Sequence, residues 1–280
     1  MLHTNEPWVT APRPIATEVP RAIGALDVQS KQRGNLSCLE DFRCSGALRA
    51  LFPRSQSRLE AIMINTSGGL TSGDRLSLKS RAGAGSHLTL TTQAAERAYR
   101  AEGSVAKIVA SLQVDADACL HWLPQEMILF DHCALERSMD IDLAPSAQLL
   151  FVEPVIFGRS AMGETVETGH FSDRVRISRD GQPLYMDAIR LTGQIRAQLA
   201  ATAVARGACA MASLVYVAPD AEAQLKPVRG LLPKTAGASL LQPDVLVLRC
   251  LAVDGFELRQ SLLPVLDRLS QNTLPKSWRL

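Results

Sequence analysis

The chain is 280 residues long and carries 30 basic and 28 acidic residues, a formal net charge of +2. These charges are spread along the sequence, which argues against the basic surface of a DNA-binding protein. The chain does not start with basic residues followed by an apolar stretch, and no apolar run of about 18 residues follows later. We therefore expect a cytoplasmic protein whose six cysteines remain reduced.

The sequence predicts a flexible proline-rich arm followed by one β-rich domain. Residues 1–22 hold prolines at positions 7, 12, 14 and 20, and terminal segments of this kind are rarely held in place. Residues 23–280 are predicted to form a single domain, mainly β, built as a large layered or helix-like stack of strands. Short apolar runs bounded by turn residues predict strands at 61–64, 88–92, 105–114, 120–123, 127–130, 149–152 and 175–178.

Three predicted strands resemble one another. They are LTLTTQ at 88–93, LHWLPQ at 120–125 and LLFVE at 149–153, so that the leading leucines recur at nearly constant spacing. Such a repeat is expected from the stacked coils of a β-solenoid, or from successive hairpins of a large β-sandwich. No long amphipathic helix separates the three segments, which argues against a βαβ fold.

Two helices are predicted in the C-terminal part. Residues 188–206 place apolar residues at helical spacing in an alanine-rich background interrupted by Gly193. Residues 256–269 repeat leucines at helical spacing after Gly255, although Pro264 is expected to kink that helix. Core packing explains these leucines without any functional role.

Residues 65–76, NTSGGLTSGDRL, look like a phosphate-binding glycine loop but lack its chemistry. A P-loop needs Lys and then Ser or Thr after its last glycine, whereas Asp74 and Arg75 follow Gly73 here. The glycine spacing also differs from that of dinucleotide-binding loops, and the next residues alternate as in a strand. We predict a tight turn between two strands, with a ligand cradle as the less favoured alternative.

Local signatures of catalysis or of a closed metal site are absent from the sequence. The cysteines form no C-x-x-C pair and the histidines no H-x-x-x-H pair. His132 and Cys133, near Asp131, are a candidate metal site, but adjacent residues on a strand point to opposite faces. Residues 158–163, GRSAMG, place the last glycine one residue too late for a G-x-S-x-G nucleophile elbow. A triad assembled in space stays open as an alternative.

Five segments in one order carry a family resemblance. They are NTSGGLTSGDRL at 65–76, TTQAAERAYR at 91–100, LPQEMILFDHC at 123–133, FVEPVIFGRSAMGE at 151–164 and LPKSWRL at 274–280. With them, the chain resembles the urease accessory protein D family, UreD, called UreH in some bacteria. The resemblance runs from about residue 24 to the C-terminus.

The resemblance implies a non-catalytic urease maturation factor. Members of the family are β-rich, with a helix-like stack of strands and two helices. They form a complex with accessory proteins F and G, of which G is a GTPase, and dock it on apo-urease so that nickel reaches the buried active site. Weak nickel binding and internal tunnels are also implied, so no tightly bound cofactor is expected. The alternatives are a stand-alone nickel-binding carrier, which His-rich or Cys-rich tracts would indicate, and a hydrolase without a local signature.

The resemblance also singles out individual positions. The matching residues are Gly68, Gly69, Gly73, Asp74, Thr91, Thr92, Gln93, Tyr99, Arg100, Leu123, Pro124, Gln125, Glu126, Asp131, Gly158, Arg159, Ala161, Met162, Gly163 and Glu164. Ser72 departs from the family pattern, which more usually has a third adjacent glycine there.

Carboxylates at these positions suit a nickel ion in transit, since isolated oxygen ligands bind weakly enough to release it. The candidates are Asp74, Glu126, Asp131 and Glu164, with Glu153 beside them, and we predict that Asp74, Glu126 and Glu164 line a polar path. The alternative is that each carboxylate pairs with a basic group, as Glu164 would with Arg159, or caps a turn.

Apolar residues near the same motifs have two interpretations. Val155, Ile156, Phe157 and Met162 are either the buried end of a strand, which is favoured, or an adaptable partner contact. Pro275 and Trp278 are predicted to belong to a packed tail, with an interface as the alternative.

Overall fold

The computed structural model describes residues 20–54, 57–159 and 162–279 and confirms the mainly β prediction. In chain order the strands are β1 Ile23–Arg33, β2 Leu36–Gly46, β3 Leu48–Leu51, β4 Leu59–Asn65, β5 Arg75–Ala82, β6 His87–Thr92, β7 Glu96–Ala98, β8 Ala106–Val114, β9 Cys119–Leu123, β10 Met127–Leu129, β11 Ala134–Leu143, β12 Gln148–Phe157, β13 Thr168–Arg179, β14 Gln182–Gln194, β15 Ala210–Val217, β16 Ala236–Gln242 and β17 Val245–Ala252. The helices are α1 Ile195–Ala200, α2 Ala221–Leu231 and α3 Gly255–Leu269, followed by a 3-10 turn at Lys276–Arg279. Of the predicted arm at 1–22, residues 1–19 lie outside the described residues.

The strands form two facing sheets, and each coil of the chain contributes strands to both of them. The first sheet has the order β14-β13-β11-β8-β5-β1-β2, and the main path of the second is β16-β17-β15-β12-β9-β6-β4-β3. From β4 to β13 the main strands alternate between the sheets, while the short strands β7 and β10 add to the second sheet, where β10 pairs with β7 and β12. Strands that stack on one another within a sheet are therefore parallel, because the chain returns in the same direction after each coil. Of the two arrangements that the repeat left open, the structure is thus the stack of coils and not a series of hairpins.

The repeated leucines occupy equivalent positions in successive coils. Leu88 of β6 lies opposite Leu120 of β9, and Leu120 lies opposite Leu149 of β12. All three side chains are buried in the core between the two sheets. Because side chains alternate along a strand, this register sends the preceding residues of β6 and β9 to the outer face of the second sheet.

The helix predicted at 188–206 is wrong over most of its length. Residues 182–194 form β14, which pairs along its whole length with β13, and helical structure is confined to the six residues of α1. Continuous pairing with a neighbouring strand outweighs the weak helix preference of an alanine-rich segment. Gly193, which interrupts the predicted helix, adopts a positive φ of 78° just before β14 ends.

The second predicted helix is confirmed, and it covers the outer face of the second sheet. The Asp254 side chain caps α3 by accepting a hydrogen bond from the backbone N–H of Glu257 at 2.8 Å. Leucines of α3 pack with Leu150 and Val152 of β12 in a second hydrophobic core. Trp278 is fully buried in this core, which confirms the packed tail. Helix α2, which was not predicted, contains Pro227 and packs against β16 and α3.

Candidate functional site

The chain passes from the second sheet to the first along one edge of the solenoid, at corners 66–74, 93–105, 124–133 and 158–167. We call this edge the motif edge, because each of the four internal family segments includes part of one of these corners. The return corners, at 83–86, 115–118 and 144–147, have four residues each. Since a solenoid stacks equivalent positions of successive coils, motifs distant in sequence become neighbours at this edge.

The glycine segment is a turn between two strands, as predicted, and it also packs against the next motif. Gly68 and Gly69 have φ values of 78° and 151°. A Cβ atom on Gly69 would lie 2.3 Å from Cε2 of Tyr99. The Tyr99 hydroxyl donates to the carbonyl of Gly68 at 3.3 Å, and its backbone N–H donates to that of Leu70 at 2.8 Å. Glycine is therefore required at 69 for both backbone conformation and space.

The end of the same turn accommodates Ser72, which stands where the family more usually has glycine. Residue 72 does not adopt a positive φ, and its buried hydroxyl accepts a hydrogen bond from the backbone N–H of Glu102. Gly73 has a φ of 75°, and a Cβ atom there would lie 2.8 Å from Oγ of Ser104. The conformational requirement thus falls on 73 and not on 72.

Asp74 is buried and holds the turn together. One carboxylate oxygen accepts from the backbone N–H of Ala22 at 2.8 Å and the other from that of Thr71 at 2.8 Å. The side chain is 4% exposed. Asp74 therefore joins the entry to β1 to the glycine turn, which is the capping role that the sequence left open.

Glu126 connects the motif edge to α3. The Arg259 guanidinium donates to its carboxylate at 2.9 and 2.8 Å and to the side-chain oxygen of Gln125 at 2.5 Å. Arg259 also lies over the Trp278 ring, 5.2 Å from its centroid, while the indole N–H donates to the carbonyl of Leu123 at 2.9 Å. The L-P-Q-E motif and the C-terminal motif thus form one assembly around Arg259.

Asp131 holds a neighbouring corner in place. Its carboxylate accepts from the backbone N–H of Thr168 at 3.0 Å and lies 3.3 Å from Nε2 of His132. Nδ1 of His132 in turn lies 2.9 Å from the Thr168 hydroxyl. The adjacent Cys133 is buried at 1% exposure, whereas the His132 side chain is 45% exposed. The two residues therefore face different environments and do not together present a metal site.

The last internal motif forms a small cluster on the surface of the motif edge. Arg159 pairs with Glu164 at 2.5 Å, as the alternative for Glu164 predicted, and lies 4.3 Å above the centroid of Phe130. Phe130 contacts the Tyr99 ring edge-on, with centroids 4.7 Å apart. Met162 is 72% exposed beside this cluster. The motif edge thus presents an aromatic and charged surface with one projecting methionine.

The remaining motif glycines and Arg100 have backbone roles. Gly158 has a φ of 85°, and a Cβ atom there would lie 2.5 Å from the carbonyl oxygen of Glu164. Gly163 has a φ of 69°. Arg100 forms an isolated bridge to Cys133, and its carbonyl accepts from the hydroxyl of Thr71 at 2.8 Å.

A cavity of about 230 Å³ lies between the two sheets at the motif edge. Its apolar wall comes from both sheets and includes Met63 and Met139, and its polar lining comes from strands of both sheets and from two corners. The polar lining residues are Asn65, Ser77, Thr92, Gln93, Glu96, Arg97, Gln125, Arg137, Ser138 and Glu153. Gly68 and Pro124 also line it, so family motifs from three successive corners meet at one cavity.

A buried ion-pair network forms one wall of this cavity. Arg137 donates to Glu153 at 2.5 Å and to both oxygens of Asp173, at 3.1 and 2.5 Å. The indole N–H of Trp122 donates to the other Glu153 oxygen at 2.7 Å. Burial raises the pKa of the Glu153 carboxyl, and the Arg137 guanidinium opposes that rise. One guanidinium is thus shared by two buried carboxylates, of which Glu153 lines the cavity.

Glu96 is the second carboxylate in the cavity. Its carboxylate accepts from the Asn65 side chain at 3.1 Å and from the backbone N–H of Arg97 at 3.0 Å. Burial raises the pKa of Glu96, and these two hydrogen bonds oppose the rise. The sequence did not single out Glu96, although it lies three residues after Gln93 in the same motif.

The structure separates the predicted carboxylates from the cavity carboxylates. Glu153, which was named, lines the cavity, whereas Asp74, Glu126, Asp131 and Glu164 are not among the lining residues in the described ranges. The last four hold turns, ion pairs or both at the motif edge. Their contribution to a nickel path stays a prediction.

Comparison with known proteins assigns the family. The model described as "UreD urease accessory protein" matches residues 22–279. The chain belongs to the UreD family of urease accessory proteins. It is 51% identical over 262 residues to the urease accessory protein UreD of Roseobacter denitrificans, which covers 93% of this chain and 96% of the relative. The corresponding protein of Ruegeria pomeroyi is 48% identical, over 91% of this chain and 100% of the relative. That of Rhizobium etli is 42% identical, over 95% and 98%.

Membership of the UreD family implies a role in urease maturation and explains why the five motifs occur together. Relatives are named as accessory proteins and not after a reaction. In the part of the chain that the structure describes, no helix is long and apolar enough to span a membrane.

Proposed function

We propose that the chain is a non-catalytic scaffold for urease maturation, which docks on apo-urease with accessory proteins F and G and helps deliver nickel to the urease active site. The observation that supports this proposal best is the cavity, where family motifs from three corners surround buried carboxylates. The free thiols of all six cysteines, which lie within the described ranges, suit the reducing cytoplasm.

The cavity has the chemistry that a passing nickel ion needs. Carboxylate and amide oxygens bind a divalent ion more weakly than a closed set of thiolates and imidazoles would. Gln93 and Glu96 supply such oxygens from one corner, Gln125 from the next corner and Glu153 from β12.

The outer surface of the motif edge is the proposed contact with partner proteins. Tyr99, Phe130 and Arg159 form its rigid part, and Met162 projects from it. Aromatic and arginine side chains dominate the energetics of many protein interfaces, and methionine adapts to irregular partners. Val155 and Phe157 are buried, so they belong to the core of the solenoid and not to this surface.

The proposal is tested by producing apo-urease with accessory proteins F and G, with and without this chain carrying an affinity tag. We expect the tagged chain to co-purify with the other proteins, and urease produced without it to contain little nickel and show little activity. Equal nickel content and activity with and without the chain would overturn the maturation role. Activation without stable co-purification would leave delivery intact but reject the docked scaffold.

A further inference from the structure

A group of metal-ligating side chains lies away from the cavity and the motif edge. His87 of β6, and Cys119 and His121 of β9, each place one ligand atom within 4.8 Å of the other two. The two imidazole rings meet edge-on with centroids 4.4 Å apart. The group lies on the outer face of the second sheet, beside the return corners 83–86 and 115–118.

The coil register brings these three side chains together. His87 lies directly opposite Cys119 in the parallel pairing of β6 with β9. His121 follows Cys119 by two residues, so both side chains leave the same face of β9. Leu88 and Leu120, the next residues along, point inward to the core. The group is thus built on two rigid, stacked strands, which favours fixed ligand positions.

Two ring nitrogens in the group are buried without a partner. Nε2 of His87 and Nδ1 of His121 are buried and have no hydrogen-bond partner among the described residues. A buried polar atom without a partner carries a desolvation cost of about 1–3 kcal/mol. Each histidine of the group thus keeps a buried nitrogen without a partner, beside a thiol that can also ligate an ion.

We propose that His87, Cys119 and His121 bind one soft or borderline transition-metal ion that links two adjacent coils. The thiolate selects for zinc and cuprous ions, and imidazole is a good ligand for both zinc and copper. The set therefore differs from the oxygen-rich cavity, where weak binding allows release. The site does not depend on the role in urease maturation.

The two imidazole rings can bind a metal as they are, whereas the thiol must first lose its proton. Burial lowers the pKa of His87 to about 4 and that of His121 also falls, so both rings are neutral near pH 7 and can bind a metal. Burial raises the pKa of the Cys119 thiol to about 12, although the Arg58 guanidinium opposes that rise. Metal binding at neutral pH therefore releases the thiol proton. Arg58 adds a positive charge nearby, which favours the thiolate over the thiol.

The test uses the purified full chain after treatment with a chelator. Cobalt(II) serves as a spectroscopic probe, and zinc, nickel and cuprous ions are then added as competitors. We expect one equivalent of cobalt to produce a thiolate-to-cobalt charge-transfer band that zinc and cuprous ions displace more readily than nickel does. Zinc should also raise the melting temperature of the protein.

The variants Cys119→Ser and His87→Gln should lose the band and the thermal shift, whereas the matched controls Cys44→Ser and His170→Gln should keep both. Circular dichroism establishes that each variant is folded. His87 is chosen over His121 because it is less buried, so that its replacement is less disruptive to the fold. A wild-type protein without the band, or a folded Cys119→Ser protein that keeps it, would overturn the site.

Discussion

Arg259 of α3 and Glu126 of the motif edge form a two-point ion pair although 133 residues separate them in the sequence. The Glu126 side chain is 9% exposed and that of Arg259 22%. The pair therefore attaches the C-terminal helix to the solenoid at the position of a family motif. Trp278, which lies beneath Arg259, completes the attachment.

Removal of this arginine should destabilise the protein. Arg259→Ala leaves the Glu126 carboxylate and the Gln125 amide without their partner, and breaking a buried pair costs about 3–5 kcal/mol. We expect a loss near the lower end of that range, measured by urea unfolding, because the pair is partly exposed. The stability of Arg259→Lys should lie between those of the wild type and Arg259→Ala, because lysine keeps the charge but lacks the planar fork of arginine. Arg268→Ala, which removes an exposed contact with Gln224, should change stability by no more than about 0.5 kcal/mol. Equal stability of the two alanine variants would contradict the structural role of the pair.

The close approach of Gly69 to Tyr99 predicts a specific mutational cost. Gly69→Ala combines a φ of 151° with a Cβ atom 2.3 Å from the ring, so we expect about 1–3 kcal/mol of destabilisation by urea unfolding. Gly230→Ala is the control, because a Cβ atom at this helical position would meet no neighbouring group within 4 Å. This substitution should stabilise the protein by about 1 kcal/mol. Addition of Tyr99→Ala should recover part of the Gly69→Ala loss, and strict additivity of the two changes would argue against this contact.

The pKa of Glu96 predicts how stability depends on pH. Burial raises it above the ordinary value of 4.5, so the folded state binds a proton more tightly than the unfolded state does. The resulting stabilisation is complete below pH 4.5 and is lost as pH rises through the folded-state pKa. Glu96→Gln should therefore be more stable than the wild type at pH 7, while the difference shrinks towards pH 4. Thermal unfolding of both proteins at pH 4 and pH 7 measures the difference in stability. A Glu96→Gln protein whose advantage over the wild type is smaller at pH 7 than at pH 4 would contradict the prediction.

Met162 provides a test of the proposed partner surface. Met162→Asp places a charge on an exposed part of the motif edge, and it should reduce co-purification with accessory proteins F and G without changing the melting temperature. Met186→Asp on β14 is a matched control, because both methionines are 72% exposed. Equal co-purification of the two variants would place the partner contact elsewhere.

Local patterns in the sequence predict much of the fold. The leucine repeat anticipated the coil register, because inward residues of stacked strands must match in every coil. The helix at 256–269 could be predicted because its leucines recur at helical spacing. The segment at 188–206 failed because its strand pairs with β13, and that pairing is not visible in the composition of the segment itself.

The sequence predicted less of the candidate site, because the contacts of the site join residues that no local sequence pattern connects. The link from Glu126 to Arg259 and the network around Arg137 both depend on the tertiary structure. The register does contain a usable signal for the His87 and Cys119 pair, since these residues precede the aligned leucines of two coils. Chemical reasoning about motif carboxylates identified Asp74, Glu126, Asp131 and Glu164 at the motif edge and Glu153 on β12, and of these five described residues Glu153 lines the cavity.

The most direct measurement is the nickel content of urease matured with Glu153→Gln in place of the wild-type chain. This change removes the charge of the carboxylate but keeps its size and leaves Arg137 paired with Asp173. Glu136→Gln, at an exposed position on β11, is the matched control. If nickel passes through the cavity, nickel per urease should fall about tenfold with Glu153→Gln, as expected for a loss of about 1.4 kcal/mol, while co-purification with the partners is unchanged. Nickel content equal to that obtained with Glu136→Gln, in a folded and co-purifying variant, would contradict passage through the cavity.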